Sequence, residues 1–320
     1  MLYNAYTDAP LSSLLSEPSL LAVIQFEGEA ACSPPGEVVS GLQQLAAENK
    51  EQWLSSNPVL GRGQRAGCYY SYCQDFLFVA CCFPCAVNTE VERSSYAAYM
   101  ALLETMRALG YGHPLRFWNY LPHINGVPEG GLEVYQQFCS GRLRAFREYA
   151  VAEQDFPAAS ALGSFGGNAV FYALAAKHKG RHFENMLQQS AYHYPLQYGP
   201  SSPSFARATA IKNSEGGEHI FVSGTASVLG HATVAVGDLD EQLSTTFNNL
   251  DALVQGINPR AKFVNLKVYI RHQQDSARCQ ERVALHYPGV PAIYLHADIC
   301  RADLLVEIEA VCQGPDVNAA

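Results

Sequence analysis

Two carboxylates stand two residues apart near the C-terminus of the chain, in the segment VEIEAV (residues 306–311). Side chains of a β-strand alternate between two faces, so Glu307 and Glu309 would share one face and their apolar neighbours the other. Carboxyl groups that line a pocket can perform general acid–base chemistry. A strand with one solvent-exposed face would give the same pattern, because charged residues are mostly exposed. The spacing alone leaves both interpretations open.

Two further segments contain groups that suit a ligand site. In SGTAS (223–227), Gly224 would let a ligand approach the backbone closely, although an ordinary β-bulge explains these residues equally well. The segment SAYHYPLQYGPSSPSFARA (190–208) contains three tyrosines, and its prolines exclude a regular helix. A loop of this length inside a domain is usually functional, so we expect a pocket wall in which Arg207 can clamp a carboxylate.

The composition is that of a globular chain with a substantial core, since 48% of the 320 residues are hydrophobic and 16% are charged. The net charge is −9 and no basic stripe is present, so we expect neither nucleic acid nor a membrane surface as a partner. Without a membrane-length apolar run or a signal-peptide pattern, we predict a cytoplasmic protein with reduced cysteines. One CxxC pair, Cys82 and Cys85, without a nearby histidine favours core cysteines over zinc.

The elements that must position these groups occur in a repeated order. Strand, helix, strand, helix and strand are predicted at 75–83, 94–112, 114–124, 132–150 and 168–177, and again at 218–226, 240–258, 262–272, 276–287 and 291–311. We predict an α+β fold of two related domains, residues 1–155 and 156–320, each a β-sheet with two helices packed on one face. The last strand of the first half lacks carboxylates, so we expect the second half to carry the chemistry and the first to be scaffold. Chance recurrence of this order is the alternative.

Four segments, taken together, resemble one enzyme family. They are RFWNYLPHIN (116–125), YHYPLQYGPSSPSFARA (192–208), FVSGTASVLGHAT (221–233) and CRADLLVEIEA (300–310). Their order and sequence resemble the chorismatase family over most of the chain. The resemblance implies two YjgF-like domains, in a monomer or a homotrimer. It also implies hydrolysis of the enolpyruvyl ether of chorismate to pyruvate and a ring product, without a metal or redox cofactor.

The resemblance also implies roles for particular residues. Glu307 falls on the family's catalytic acid, and burial beside Glu309 would raise its pKa. Cys300, seven residues earlier, is typical of the members that release 3-hydroxybenzoate. The implied contacts to the dianionic substrate and the implied cavity lining are Arg207, Arg271, Arg301, Arg142, Tyr192, Tyr194, Gly224, Thr225 and Ala226. Ser201 and Leu187 stand where basic residues are expected, which puts one anion contact in doubt.

Three alternatives stay open at this point. A chorismatase of the other subgroup would release a dihydroxycyclohexadiene carboxylate instead of 3-hydroxybenzoate. A general imine or enamine hydrolase would use the same fold, although the tyrosine- and proline-rich segment argues against it. A non-catalytic ligand-binding homologue would be consistent with Ser201 and Leu187.

Overall fold

The computed structural model describes residues 1–34, 36–85, 90–129, 131–213 and 216–315. In these residues the chain forms five α-helices: α1 (Leu11–Leu15), α2 (Val91–Ala108), α3 (Val134–Glu148), α4 (Leu239–Ile257) and α5 (Ser276–His286). The strands, numbered along the chain, are β1 (Leu2–Thr7), β2 (Leu20–Gln25), β3 (Ala31–Ser33), β4 (Glu37–Val39), β5 (Gln43–Gln44), β6 (Lys50–Ser55), β7 (Gly61–Arg65), β8 (Cys68–Tyr72), β9 (Phe76–Pro84), β10 (His113–Pro122), β11 (Ala158–Ser164), β12 (Asn168–Ala176), β13 (Arg181–Phe183), β14 (Ala208–Lys212), β15 (Gly217–Ala226), β16 (Val228–Leu229), β17 (Ala232–Thr233), β18 (Lys262–Ile270), β19 (Ala292–His296), β20 (Asp298–Ile299) and β21 (Val306–Pro315).

Two seven-stranded sheets share one construction. Their orders are β7-β8-β9-β12-β10-β11-β20 and β13-β14-β15-β21-β18-β19-β5. In each sheet one pair is parallel, β10 with β11 and β18 with β19, and a helix connects its two strands. Strands β12 and β21 hold equivalent central places. The repeated order in the sequence is therefore a repeated sheet, and the predicted α+β class is confirmed.

Each of these sheets carries two helices on one face, α2 and α3 in the first and α4 and α5 in the second. Asp238 caps α4 by accepting a hydrogen bond from the Glu241 N–H (3.1 Å). The buried residues of α4 recur every three or four positions, as a helix with one apolar face requires: Leu243, Phe247, Leu250 and Val254. Gly110, at φ 83°, ends α2 and donates to the Arg107 carbonyl (3.1 Å). No helix within the described ranges is both long and apolar enough to cross a membrane.

The first 55 residues form a third sheet that the sequence did not predict. Its order is β1-β6-β2-β4-β3, and its inner face joins the helix-free faces of the other two sheets in one core. The centre of the Trp53 ring lies 5.6 Å from that of Trp118 and 6.1 Å from that of Phe221. Trp118 and Phe221 belong to different seven-stranded sheets. The Tyr6 hydroxyl donates to the Leu266 carbonyl (2.8 Å). Three sheets thus enclose a common interior.

The sheets divide the chain differently from the predicted boundary at residue 155. Strands β11 and β12 follow that residue, yet both pair with β10 of the first sheet. Two short strands cross between the halves: β5 pairs with β19 of the second sheet, and β20 pairs with β11 of the first. The division into domains 1–155 and 156–320 stays a prediction, and in terms of sheet pairing the first half extends to the end of β12.

Candidate active site

A cavity of about 370 Å³ lies between the two halves of the chain. Its floor is formed by β15 and β21, which pair antiparallel with Ala226 opposite Glu307. The other walls come from the start of α3, the segment 188–207 and the turn after β20. The charged and aromatic side chains of this lining are Glu133, Tyr135, Tyr194, Tyr198, Phe205, Arg207, Arg301, Asp303 and Glu307.

Glu307 lines this cavity from β21 and is only 4% exposed, so the solvent-exposed interpretation of its strand is wrong. Gly224 on the paired strand leaves room for its carboxyl group. A Cβ atom at Gly224 would lie 1.8 Å from Glu307 Oε1 and 3.0 Å from Ser160 Oγ. A register shift between Val222 and Thr225 shows that a bulge is present as well. The glycine is therefore needed for close approach of the Glu307 side chain.

Burial raises the pKa of Glu307 to about 8, and the neighbouring negative charge of Glu309 acts in the same direction. Arg116, Arg207 and Arg271 oppose this rise without cancelling it. Glu307 is therefore mostly protonated at neutral pH. A protonated carboxyl group at a cavity wall can donate a proton to a bound molecule.

Glu309 is buried to a similar extent, with 5% of its surface exposed, but its carboxyl group is ionised. Its carboxylate accepts hydrogen bonds from Trp118 Nε1 (2.7 Å), Ser160 Oγ (2.7 Å) and Arg116 Nη2 (2.8 Å). Burial opposes its ionisation, yet Lys267 and Arg116 outweigh burial and lower the pKa of Glu309 to about 2. The two carboxyl groups of the VEIE segment therefore differ in charge at neutral pH.

Two buried guanidinium groups reach the cavity from different halves. Arg207 Nη2 donates to the Gln189 carbonyl (2.9 Å) and the Tyr194 hydroxyl (2.7 Å). Arg142 of α3 is 1% exposed and lines an inner extension of the cavity beside Glu307. Within the described part of the chain, Nε of Arg207 and both Nε and Nη2 of Arg142 have no hydrogen-bond partner. Buried donors without partners are costly, so the pair is suited to an anionic ligand.

The turn after β20 closes the cavity with Cys300 and Arg301. The Arg301 guanidinium lies 4.0 Å from the centre of the Tyr198 ring and 5.1 Å from that of Tyr194. Its Nη1 donates to the His231 carbonyl (2.9 Å). Cys300 lines both the cavity and its inner extension. Burial raises the pKa of the Cys300 thiol, which is therefore neutral near pH 7.

Known proteins resemble this chain over most of its length. A sequence profile described as "Chorismatase FkbO/Hyg5-like, N-terminal" matches residues 51–175. A 3-hydroxybenzoate synthase of Streptomyces hygroscopicus is 40% identical over 266 residues, which cover 78% of this chain and 77% of the relative. The chain belongs to the chorismatase family. A chorismatase of the same organism is 38% identical over 227 residues, 67% of this chain and 66% of the relative. A crystal structure of a chorismatase matches with a TM-score of 0.87 and 28% identity, over 97% of this chain and 98% of that one.

Most residues that the sequence predicts for the site of this chorismatase family member meet at one place. Those that line the cavity or its inner extension are Glu307, Cys300, Arg142, Arg207, Arg301, Tyr194, Gly224 and Ala226. They come from α3, the segment 188–207, β15, the turn after β20, and β21. Their roles stay predictions.

Arg271, a predicted substrate contact, lies outside the cavity lining. Its guanidinium donates to Asp298 Oδ1 (2.6 Å) and to the carbonyls of Leu304 (2.7 Å), Ile299 (2.9 Å) and Arg301 (2.9 Å). These acceptors all lie on or beside the turn that carries Cys300. Arg271 therefore holds the shape of that turn, and its contact with substrate stays a prediction.

Two more predicted lining residues face elsewhere. Thr225 lies between Gly224 and Ala226, so strand alternation turns its side chain away from the cavity, and its Oγ1 donates to the Ser223 carbonyl (2.9 Å). Tyr192 packs edge-on against the Phe156 ring, with centroids 5.8 Å apart. Both predictions assigned a whole sequence segment to a pocket wall, and a role for either residue stays a prediction.

Apart from Arg142, the sequence missed the contributions of the first half. Tyr135 and Glu133 reach the cavity from the start of α3, and Ser160 of β11 lines the inner extension. Their positions depend on how the halves pack, which no local pattern encodes. Ser201 lies in a separate surface depression and accepts from Ser140 Oγ (3.1 Å). Among the described residues, no three His, Cys, Asp or Glu side chains converge as a metal site.

Proposed function

We propose that this protein converts chorismate to pyruvate and 3-hydroxybenzoate, with Glu307 as the general acid. The observation that carries the proposal is a buried carboxyl group, with its pKa raised to about 8, in the wall of a cavity that holds two buried guanidinium groups. Membership of the chorismatase family supports the reaction class. The 40% identity to a protein named 3-hydroxybenzoate synthase supports the product.

Cleavage of the enolpyruvyl ether begins with protonation of its methylene carbon. In an enolpyruvyl ether the ether oxygen makes the methylene carbon nucleophilic, and Glu307 donates its proton to that carbon. Water attacks the resulting oxocarbenium ion to give a hemiketal, which breaks at the ether bond into pyruvate and a ring diol. Loss of the ring 4-hydroxyl as water, with the proton on the neighbouring carbon, then gives 3-hydroxybenzoate. General acid catalysis of this kind contributes about 10²- to 10⁴-fold to a rate. Glu307 is protonated again before the next turnover.

The substrate charge matches the cavity. Chorismate carries two carboxylates, and Arg142 and Arg207 present two buried cations at the inner and outer parts of the site. Each can form charge-assisted hydrogen bonds with a carboxylate. Neutralising Arg207 would also weaken its opposition to the high pKa of Glu307. Substrate binding therefore favours the protonated acid.

Cys300 is proposed to influence which product leaves. Forming 3-hydroxybenzoate and pyruvate from chorismate takes up no net water, whereas release of the dihydroxycyclohexadiene carboxylate consumes one. The neutral Cys300 thiol borders the inner extension next to Glu307, where it would shape the ring position. We expect Cys300→Ala to retain pyruvate release but to yield a mixture of ring products. Chromatography of the reaction products measures this ratio.

A monomer is the proposed assembly. The first 55 residues cover the inner faces of both seven-stranded sheets, which a trimer of small subunits would otherwise bury against a neighbour. In light scattering coupled to size-exclusion chromatography, a monomer has a mass of 34.9 kDa. A cytoplasmic location is likewise only proposed.

The test of function is incubation of the purified protein with chorismate, with pyruvate measured enzymatically and ring products by chromatography. We expect both pyruvate and 3-hydroxybenzoate. Glu307→Gln should lower the rate at least 100-fold. The control Glu281→Gln changes an exposed carboxylate on α5 and should retain the full rate. Pyruvate formation at the uncatalysed rate by the unmodified protein would reject the proposal.

A further inference from the structure

Four charged side chains are buried together beside the cavity, next to the face of β21 that carries Glu307. Lys267 Nζ lies 2.7 Å from Glu51 Oε2 and 3.0 Å from Glu309 Oε1, and Arg116 Nη2 lies 2.8 Å from Glu309 Oε2. None of the four residues is more than 5% exposed. Buried ion pairs are weak evidence for stability, because desolvation offsets their attraction. The cluster therefore invites another explanation.

The cluster fixes the charge of Glu309. Two cations and two anions balance, and they come from all three large sheets: Glu51 from β6, Arg116 from β10, and Lys267 and Glu309 from β18 and β21. Trp118 Nε1 and Ser160 Oγ donate to the two oxygens of Glu309. The two cations and the two hydrogen-bond donors stabilise the ionised carboxylate of Glu309.

Glu309 lies close to the proposed acid. The two residues share one face of β21, at a spacing of about 7 Å along a strand. Ser160 connects them, because its hydroxyl donates to Glu309 Oε2 (2.7 Å) and accepts from the Gly224 N–H (2.9 Å). Glu307 Oε1 packs against the same glycine.

We propose that Glu309 is a positioning residue whose fixed negative charge keeps the Glu307 carboxyl group protonated and ready to donate. The proposal rests on the proposed function of Glu307. It gives the unusual ionic cluster a catalytic purpose. The first 55 residues contribute Glu51, which pairs with Lys267, and Lys267 holds Glu309 ionised with or without that partner.

Other charged and titratable groups around Glu307 also influence its protonation. The cations are Arg142 of α3, Arg207 of the segment before β14, Arg116 of β10, Arg271 after β18 and Arg301 after β20. The remaining titratable groups of the cavity lining are Cys300, Tyr135, Glu133, Tyr194, Tyr198 and Asp303. Arg116, Arg207 and Arg271 favour ionised Glu307, so Glu309 is the nearby anion that offsets them.

The experiment compares pH profiles of kcat for three proteins: unmodified, Glu309→Gln and Glu51→Gln. With protonated Glu307 as the acid, kcat falls as pH rises through its pKa. A charge about 7 Å away at an effective dielectric constant near 20 moves a pKa by roughly one to two units. We therefore expect Glu309→Gln to move the midpoint of this fall down by at least about one unit, with KM changed less than threefold.

Glu51→Gln is the matched control, because Glu51 is equally buried and contacts the same Lys267 but lies on the N-terminal sheet. Its profile should keep the midpoint of the unmodified enzyme even if stability falls. Glu309→Asp retains the negative charge, so the pH midpoint of its kcat profile should lie close to that of the unmodified enzyme. An unchanged midpoint in Glu309→Gln, or an equal shift in Glu51→Gln, would overturn the proposal.

A direct titration keeps the two proposals distinguishable. Infrared difference spectra can follow the protonated carboxyl band that disappears in Glu307→Gln, without any turnover. If the unmodified protein releases no pyruvate, the proposed function fails, but the band still tests whether Glu309 controls Glu307. We expect the band of the unmodified protein to vanish at a higher pH than that of Glu309→Gln. Should Glu309→Gln not fold, Glu309→Asp must retain the high midpoint, and a midpoint lowered by a unit would count against the proposal.

Discussion

Substitution of Gly224 by alanine should remove activity with little loss of folding. The added Cβ would lie 1.8 Å from Glu307 Oε1 and 2.7 Å from Glu307 Cδ. Because carbon–oxygen contacts below 3.0 Å essentially do not occur, the carboxyl group must retreat by about 1 Å or more. A misplacement of about 1 Å in a catalytic group can cost about 100-fold in rate. We expect kcat of Gly224→Ala to fall about 100-fold.

The assay follows pyruvate release continuously with a coupled dehydrogenase and compares kcat at saturating chorismate. Gly256→Ala is the control, because a Cβ at this exposed position of α4 meets no atom within 4 Å. It should retain full kcat and gain up to about 1 kcal/mol of stability from helix propensity. Thermal unfolding of both variants separates misplacement from misfolding. If folded Gly224→Ala kept kcat within a few-fold of the unmodified enzyme, close packing at Gly224 would not position the acid.

Three further predictions test the cations, the acid and the N-terminal sheet. Arg142→Met should raise KM for chorismate at least 10-fold without lowering thermal stability, because the guanidinium has unpaired buried donors; a lowered melting temperature with unchanged KM would contradict this. Because folding raises the pKa of Glu307 to about 8, the folded state binds the proton more tightly, and the free energy of unfolding should fall as pH rises from about 4.5 to 8. Urea titrations should show a smaller fall in Glu307→Gln, and equal slopes would refute the raised pKa. Trp53→Ala should lower the free energy of unfolding by about 3–5 kcal/mol, since its ring joins all three sheets; a loss under 1 kcal/mol in urea would show that the sheets do not depend on this contact.

Local periodicity was enough to predict the repeated elements. The helix expected at 240–258 is Leu239–Ile257, and the one expected at 276–287 is Ser276–His286. These segments carry their own signals, since apolar residues recur at helical spacing and a cap or glycine marks an end. The N-terminal sheet lacks such a signal. Its short strands β3 and β4 form through pairing with each other, and β1 is held by contacts more than 200 positions away, such as that of Asn4 with Asn265.

Sequence by itself determined which side chains could perform the chemistry. The VEIE segment, the glycine of SGTAS and the tyrosine-rich segment marked the site, and the chorismatase resemblance singled out Glu307. Only the tertiary structure decided their states and partners. Glu307 and Glu309 are the same residue type on one strand face, yet one is protonated and the other ionised. The difference arises because Lys267 reaches Glu309 from the neighbouring strand β18 and Arg116 reaches it from β10 of the other seven-stranded sheet, whereas burial dominates at Glu307. Side-chain charge in a folded interior depends on neighbours that the chain order does not reveal.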